Sequence, residues 1–191
     1  MSILQATEGP PVHERLIFRI GEYIKTASDA VPAYNLAGTL YLSSSGWLML
    51  SVPNALVRGF FAAMHEPGVE LPPSGPDGQL NAHISVMKPA EVALLGGADK
   101  INERGKQFFY SVGRWVEVTD PEGWSEMAKV WFLRVHSPEL QALRRSYGLS
   151  SLPNEGKHDF HITAAVLRRK VLGRNDTRKG EGQELAVAGA D

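Results

Sequence analysis

The chain has 191 residues, of which 43% are hydrophobic and 21% are charged, which is enough apolar material for one globular domain with its own core. Its 20 Lys and Arg residues are balanced by 21 Asp and Glu residues, so the formal charge of -1 excludes the overall basic field that holds long nucleic acids. The absence of cysteine excludes disulfides, thiolate zinc sites and cysteine nucleophiles.

No apolar stretch approaches the roughly 20 residues that cross a bilayer, and the N-terminal segment lacks the features of a signal peptide. We therefore expect a cytoplasmic protein with no membrane partner. Residues 1–12 and 173–191 are polar or rich in Gly and Pro, which predicts flexible terminal segments. A single bilobal domain is predicted over residues 13–172, with lobes over roughly residues 38–105 and 106–170.

The first half of the chain is predicted to contain a helix, a hairpin, a second helix and a strand. Apolar residues recur at helical spacing over residues 13–26, which predicts an amphipathic helix. Short apolar runs around a Ser-Ser-Ser-Gly segment predict a β-hairpin over residues 38–52. Residues 53–65 place their apolar side chains on one helical face, and residues 81–87 alternate between apolar and polar as a strand does.

The second half repeats the order of strand, helix, loop and strand. Residues 130–135 form an apolar run, and Ser137 followed by a proline is typical of a helix N-terminus. Gly148 is predicted to end that helix, and residues 159–166 alternate as a second polar-faced strand. This repetition indicates a duplicated α+β unit.

Each of the two alternating strands carries a histidine and a hydroxyl group on one face. Residues i and i+2 of a strand project to the same side, so His83 shares a face with Ser85, and His161 shares a face with Thr163. For either strand alone, a solvated β face would explain these residues. Their recurrence at equivalent positions of two similar units favours a site built from both strands.

Two imidazoles can hold opposite protonation states near neutral pH, so that one acts as a base and the other as an acid. If the two strands lie side by side, one histidine can deprotonate water beside a phosphodiester while the other protonates the departing oxygen. Ser85 and Thr163 can then donate hydrogen bonds to the nonbridging oxygens. The sequence predicts no metal and no cofactor for this chemistry, because His158 and His161 project to opposite faces of an extended strand.

The motifs His83-Ile84-Ser85 and His161-Ile162-Thr163, within their repeated strands and helices, resemble the signature of the 2H phosphoesterase superfamily. The resemblance covers roughly residues 38–170. It implies a two-lobed α+β fold with antiparallel sheets lining a central cleft and helices outside. It further implies metal-independent phosphodiester hydrolysis, with His83 and His161 as the acid/base pair and with Ser85 and Thr163 as phosphate ligands.

The substrates that the resemblance implies are RNA 2′,3′-cyclic phosphates, 2′,5′-linked bonds or, in phage members, the cyclic oligonucleotides of anti-phage signalling. The near-neutral charge of this chain favours a compact cyclic nucleotide or cyclic oligonucleotide, which for a phage protein would be met in the host cytoplasm. Processing of a 2′,3′-cyclic RNA end is the alternative. Two other classes stay open: a noncatalytic protein that sequesters a nucleotide, and an interaction component in which the motifs are coincidental.

Other candidates for contact with a substrate are less specific. Bacterial RNA-processing members carry a basic residue soon after the second motif, whereas this chain delays it to Arg168, which alternation directs away from the histidine face. Arg168 is therefore a secondary candidate for substrate binding. Aromatic residues that could stack on a base are Tyr41, Tyr110, Trp115, Trp124 and Tyr147, and the sequence does not choose among them.

Overall fold

A computed structural model describes residues 10–27, 32–75 and 79–169 of the chain. The predicted flexible tail, residues 173–191, lies outside the described residues, as do residues 1–9 of the predicted N-terminal segment. The helices and strands follow in the order α1 (Val12–Thr26), β1 (Tyr34–Leu42), β2 (Leu48–Ser51), α2 (Asn54–Ala62), β3 (Val69–Glu70), β4 (His83–Met87), α3 (Pro89–Leu94), β5 (Gln107–Thr119), β6 (Met127–His136), α4 (Pro138–Ser146) and β7 (His161–Arg168). Within those ranges, no helix has the length and apolar character needed to cross a membrane.

The strands form one antiparallel sheet that closes into a ring. Their order is β3-β7-β4-β2-β1-β5-β6, and a further pairing of β6 with β7 closes the ring and leaves β3 as an added strand beside β7. Strand β3 pairs with the end of β7 that β4 does not cover. The α+β class and the antiparallel pairing are therefore confirmed. The separate sheets of the expected two lobes are instead continuous, because β1 pairs with β5 and β4 pairs with β7.

The topology of the ring repeats. Each half begins with a hairpin, β1–β2 or β5–β6, continues through a helix, α2 or α4, and ends in a histidine-bearing strand, β4 or β7. In each half that last strand pairs with the second strand of the hairpin. Because the two halves are joined at both ends, the two histidine-bearing strands become neighbours.

Local sequence explains where α4 begins and ends. The Ser137 hydroxyl accepts a hydrogen bond from the Leu140 backbone N–H at 3.2 Å, as expected of an N-cap, and Pro138 occupies the first turn, where no donor is needed. The Ser137 hydroxyl also donates to the Phe109 carbonyl at 2.7 Å, which ties the helix to β5. Gly148 has φ of +73°, a conformation that favours glycine after a helix end.

All the α-helices in the described part of the chain bury side chains in one core cluster, on one face of the sheet. Helices α1 and α2 approach so closely that a Cβ on Gly59 would lie 2.0 Å from the Phe18 carbonyl oxygen, and Phe60 packs edge-on against Trp115 of β5. Side chains that alternate toward this covered face form the core, including Leu50, Ile84, Leu133 and Ile162. We call the opposite side, where none of the described helices packs, the helix-free face, and it carries the polar side chains of the two histidine motifs.

One core residue, Tyr110, places a polar atom in an apolar environment. Tyr110 is 2% exposed, and its hydroxyl has no hydrogen-bond partner in the described part of the chain. Burial raises the pKa of this hydroxyl, so it stays protonated and must be held neutral in an apolar environment. An unpaired buried hydroxyl costs about 1 to 3 kcal/mol, so Tyr110→Phe should raise the free energy of unfolding by about 1 kcal/mol.

Urea unfolding of the two proteins measures this change, and Tyr147→Phe is the matched control. The Tyr147 hydroxyl donates to the Glu103 carboxylate at 2.5 Å and accepts from the Asn102 N–H at 3.2 Å, so its removal should destabilise the protein. A loss of stability in Tyr110→Phe as large as in Tyr147→Phe would contradict the interpretation of the Tyr110 environment.

Candidate active site

The two histidine motifs meet at the point where β4 pairs with β7. Ile84 pairs with Ile162, and both side chains are buried on the core side. In an antiparallel pair this register sets His83 opposite Thr163 and Ser85 opposite His161. We call these four residues the tetrad. They share the helix-free face, and all four are half-buried, so a ligand can reach them.

The tetrad has the form of a rectangle with the same chemistry at opposite corners. Directly opposite residues of an antiparallel pair have Cβ atoms about 4.5 to 5.5 Å apart, and diagonal neighbours are about 7 to 8 Å apart. His83 and His161 occupy one diagonal, and Ser85 and Thr163 occupy the other. A group placed over the centre therefore has an imidazole on two opposite sides and a hydroxyl on the remaining two.

Both imidazoles are held in the same way by the backbone. His83 Nδ1 lies 2.7 Å from the Asn81 carbonyl oxygen, and His161 Nδ1 lies 2.9 Å from the Asp159 carbonyl oxygen. A carbonyl oxygen only accepts, so each Nδ1 carries the proton and donates it. Each Nε2 is then the nitrogen that is free to take or give a proton at a ligand. The two units of the duplicated fold thus present the same reactive atom.

His161 lies in the more enclosed environment. The ring of Phe132 packs edge-on against it, with 4.5 Å between ring centroids. Burial is the largest influence on the pKa of His161 and lowers it, although the hydrogen bond to Asp159 opposes this effect. The nearby charges of His158 and His83 lower this pKa further, and the net result lies below the ordinary value of 6.5. The neutral, proton-accepting form of His161 is therefore favoured.

Neighbouring strands add residues to the helix-free face that the sequence analysis does not identify. On the β2 side, Ser51 pairs with His83 and Met49 pairs with Ser85. On the β6 side the equivalent positions are Arg134, which pairs with His161, and Phe132, which pairs with Thr163. Arg134 is the one charged residue in the predicted apolar strand over residues 130–135. This isolated charge is the sequence feature that could have identified Arg134 as a site residue.

The structure does not bring Arg168 to the tetrad. Arg168 lies seven residues beyond His161 on β7, about 23 Å along an extended strand. Its guanidinium forms ion pairs with Glu70 at 3.0 Å and with Glu126 at 3.4 Å. The secondary candidate for substrate binding is therefore engaged elsewhere by two carboxylates, and the cation nearest to the second motif by register is Arg134.

The aromatic candidates separate into two groups. Tyr110, Trp115 and Tyr147 pack into or against the core, which leaves them unsuited to stacking on a base. Tyr41 projects from the helix-free face of β1 and pairs with Met49, and Trp124, like Phe132, packs against a small apolar cluster of Met127, Val130 and Val166. No set of three or more His, Asp or Glu side chains arranged to hold a metal ion occurs among the residues that the structure describes.

A protein-family comparison agrees with the position of these motifs. The family model described as "Swiss Army Knife, 2H phosphoesterase domain" matches residues 46–172, which is more than half of the chain and includes both His-x-Ser/Thr strands. Comparisons with curated proteins and with solved structures gave no match.

Proposed function

The chain belongs to the 2H phosphoesterase domain family, and we propose that it is a metal-independent phosphodiesterase that hydrolyses a cyclic nucleotide or cyclic oligonucleotide. The family supports phosphodiester hydrolysis in general, whereas the substrate and the residue roles are part of this proposal. The observation that carries it is the diagonal placement of His83 and His161, each with Nδ1 bound to a backbone carbonyl and Nε2 free.

In the proposed reaction, a phosphodiester lies over the centre of the tetrad. The Ser85 and Thr163 hydroxyls donate hydrogen bonds to its two nonbridging oxygens. His161 Nε2 removes a proton from the attacking water, and the water oxygen forms a bond to phosphorus. The bond from phosphorus to the leaving oxygen breaks, and protonated His83 donates its Nε2 proton to that oxygen. The products are a phosphomonoester and an alcohol.

The assignment of His161 as the base rests on its environment. A group that must accept a proton near neutral pH needs to be neutral there, and the lowered pKa of His161 favours that state. The acid role then falls to His83 at the opposite corner. Contact with Phe132 and the hydrogen bond to Asp159 hold the His161 ring in place, so little reorganisation is needed when the reaction begins.

A substrate panel tests the proposal. Cyclic dinucleotides, cyclic trinucleotides, 2′,3′-cyclic mononucleotides and 2′,5′-linked dinucleotides are incubated with the full chain in EDTA, and the products are separated by chromatography. Cleavage of a cyclic dinucleotide or trinucleotide supports the proposal. Cleavage of 2′,3′-cyclic ends alone would move the assignment to RNA end processing. Binding without any cleavage would support a protein that sequesters nucleotides.

The pH dependence of the reaction tests the role of His161. If this histidine is the base, kcat/KM should fall on the acidic side with a midpoint below pH 6.5, since its pKa is lowered from that value. The charge of His158 contributes to the lowering, so His158→Gln should move the midpoint to higher pH. A pH–rate profile from about pH 4.5 to about pH 9 measures both effects. This range extends at least about two units to each side of the usual histidine pKa.

His65→Gln, a change at an exposed histidine after α2, is the control for this profile and should leave the midpoint in place. An acidic midpoint above pH 6.5 in the wild type would contradict the assignment of His161 as the base. The same holds if His158→Gln and His65→Gln give identical profiles.

A further inference from the structure

Two arginines lie to one side of the tetrad and have no partner among the residues that the structure describes. Arg134 pairs in register with His161 and projects from the same face of the sheet. Arg114 lies on β5, the strand beyond β6, at the irregularity between Val112 and Trp115. Both side chains are exposed, and neither has an ion-pair or hydrogen-bond partner within the described ranges. Arg144, Arg168 and Arg169, in contrast, are each bound to carboxylates.

Arg114 and Arg134 line the same depression in the surface. It has a volume of about 410 Å³, and its lining includes Ser111, His136 and Asp159. Among the described residues of that lining Asp159 is the one acidic side chain, so two guanidinium groups face a single carboxylate and this part of the lining has a net positive charge. An anionic group is the ligand that such a lining favours.

The distance between the depression and the tetrad indicates which anionic group of a ligand the depression can bind. Strand β6 is one spacing from β7 and β5 is two, so β5 lies about 10 Å from the strand that carries His161. Arg114 therefore lies two strands away from the strand that carries His161, on the far side of Arg134. It can contact a second phosphate of the same molecule, one nucleotide further along.

A comparison of the two halves of the duplicated fold shows that one half alone places a positive charge beside its histidine. The position in β2 equivalent to Arg134 is Ser51, which pairs with His83 as Arg134 pairs with His161. The Ser51 hydroxyl oxygen accepts a hydrogen bond from the Thr39 N–H at 2.9 Å, so this side chain stabilises the β1–β2 hairpin. The two halves otherwise place chemically similar residues around the tetrad. Because the arginine occurs in one half alone, the positive charge lies on the β6 side of the tetrad and not on the β2 side.

From these observations we infer that Arg114 and Arg134 form a second phosphate subsite beside the tetrad. The ligand is a nucleotide with at least two phosphates: one is centred on the tetrad and the next lies toward β5. This inference rests on the proposed function for its account of the tetrad, and it selects oligonucleotides, linear or cyclic, over mononucleotide cyclic phosphates.

Binding to a matched pair of ligands tests the subsite. The first ligand is 5′-phosphorylated diadenylate, and the second is diadenylate without the 5′-phosphate, which keeps the phosphodiester for the tetrad and lacks the second phosphate. Dissociation constants are measured by calorimetry in EDTA on the full chain carrying His83→Ala, so that turnover does not interfere. The parent should prefer the phosphorylated ligand by about tenfold or more, as expected for charge-assisted hydrogen bonds from arginine.

Arg114→Gln and Arg134→Gln, each added to that parent, should reduce this preference to about twofold or less. Arg58→Gln is the matched control, since Arg58 is exposed on α2 at the helix-covered side of the sheet, and it should keep the full preference. A preference that both arginine variants retain, or one that is absent from the parent, would overturn the subsite. Failure of the wild type to cleave the substrate panel, together with the expected loss of preference, would instead overturn the phosphodiesterase proposal and leave the subsite standing.

Discussion

Replacing either His83 or His161 with alanine should lower kcat by about a thousandfold while the protein stays folded. Positioned acids and bases contribute about 10² to 10⁴ each, and the proposed reaction has no other group that can move a proton at either corner of the tetrad. Both side chains are half-buried and lie on the face of the sheet opposite the main core, so their truncation should cost less stability than the truncation of a core side chain. Single-turnover rates in EDTA, with a thermal unfolding curve for each variant, measure the two properties.

The double variant distinguishes a cooperating pair from two independent contributions. If one imidazole takes a proton and the other gives one in a single step, His83→Ala combined with His161→Ala should cost about as much as either alone. His65→Ala, which removes an exposed imidazole outside the sheet, should leave the rate unchanged. A rate in either single variant that stays within about tenfold of the wild type would be incompatible with acid/base catalysis by this pair.

The parts of the fold that the sequence predicts are those with a strong local signal. The helix predicted over residues 13–26 is observed at Val12–Thr26, since a helix of this length repeats its apolar spacing over several turns. The second motif was likewise predicted as an alternating strand, and β7 is observed at His161–Arg168. The repetition favours a site built from both motifs if their strands lie side by side, and the pairing of Ile84 with Ile162 places them side by side.

The parts that the sequence does not predict depend on register and on long-range closure. Strand β5 was not predicted, and its alternation is interrupted between Val112 and Trp115, where the period of two is lost. The place of Arg134 beside His161 follows from the register of β6 against β7, which is set only when the ring closes. The same closure moves Arg168 into contact with carboxylates of other elements, which no local pattern encodes.

A buried arginine connects the helices to the strand that carries the first motif. Arg144 of α4 is 1% exposed at its side chain and forms an ion pair with Glu91 of α3 at 2.8 Å. Its guanidinium also donates to the Val86 carbonyl at 2.6 Å and to the Ser150 carbonyl at 2.7 Å. Val86 follows directly after Ser85 on β4, so this arginine holds the end of the strand on which half of the tetrad is built.

The pair also makes stability depend on pH. Burial by itself raises the pKa of Glu91, but hydrogen bonds from Arg144 and from the Lys88 backbone N–H, together with the arginine charge, bring it below 4.5. A carboxyl whose pKa is lower in the folded state stabilises the fold above the unfolded-state pKa. That contribution is lost as the pH falls through the folded-state value.

Arg144→Met should destabilise the protein by about 3 to 5 kcal/mol at neutral pH, because it leaves a carboxylate and two carbonyls in a poorly hydrated site without their donor. Urea unfolding measures the loss. Arg145→Met changes the adjacent, exposed arginine and should cost less than about 0.5 kcal/mol.

Adding Glu91→Met to Arg144→Met should restore part of the stability, since the double change removes the orphaned charge. Without Arg144, burial raises the pKa of Glu91, so the deficit should shrink as the pH falls toward 4.5. Equal losses in Arg144→Met and Arg145→Met, or a deficit that grows on acidification, would show that the ion pair does not hold β4 in place.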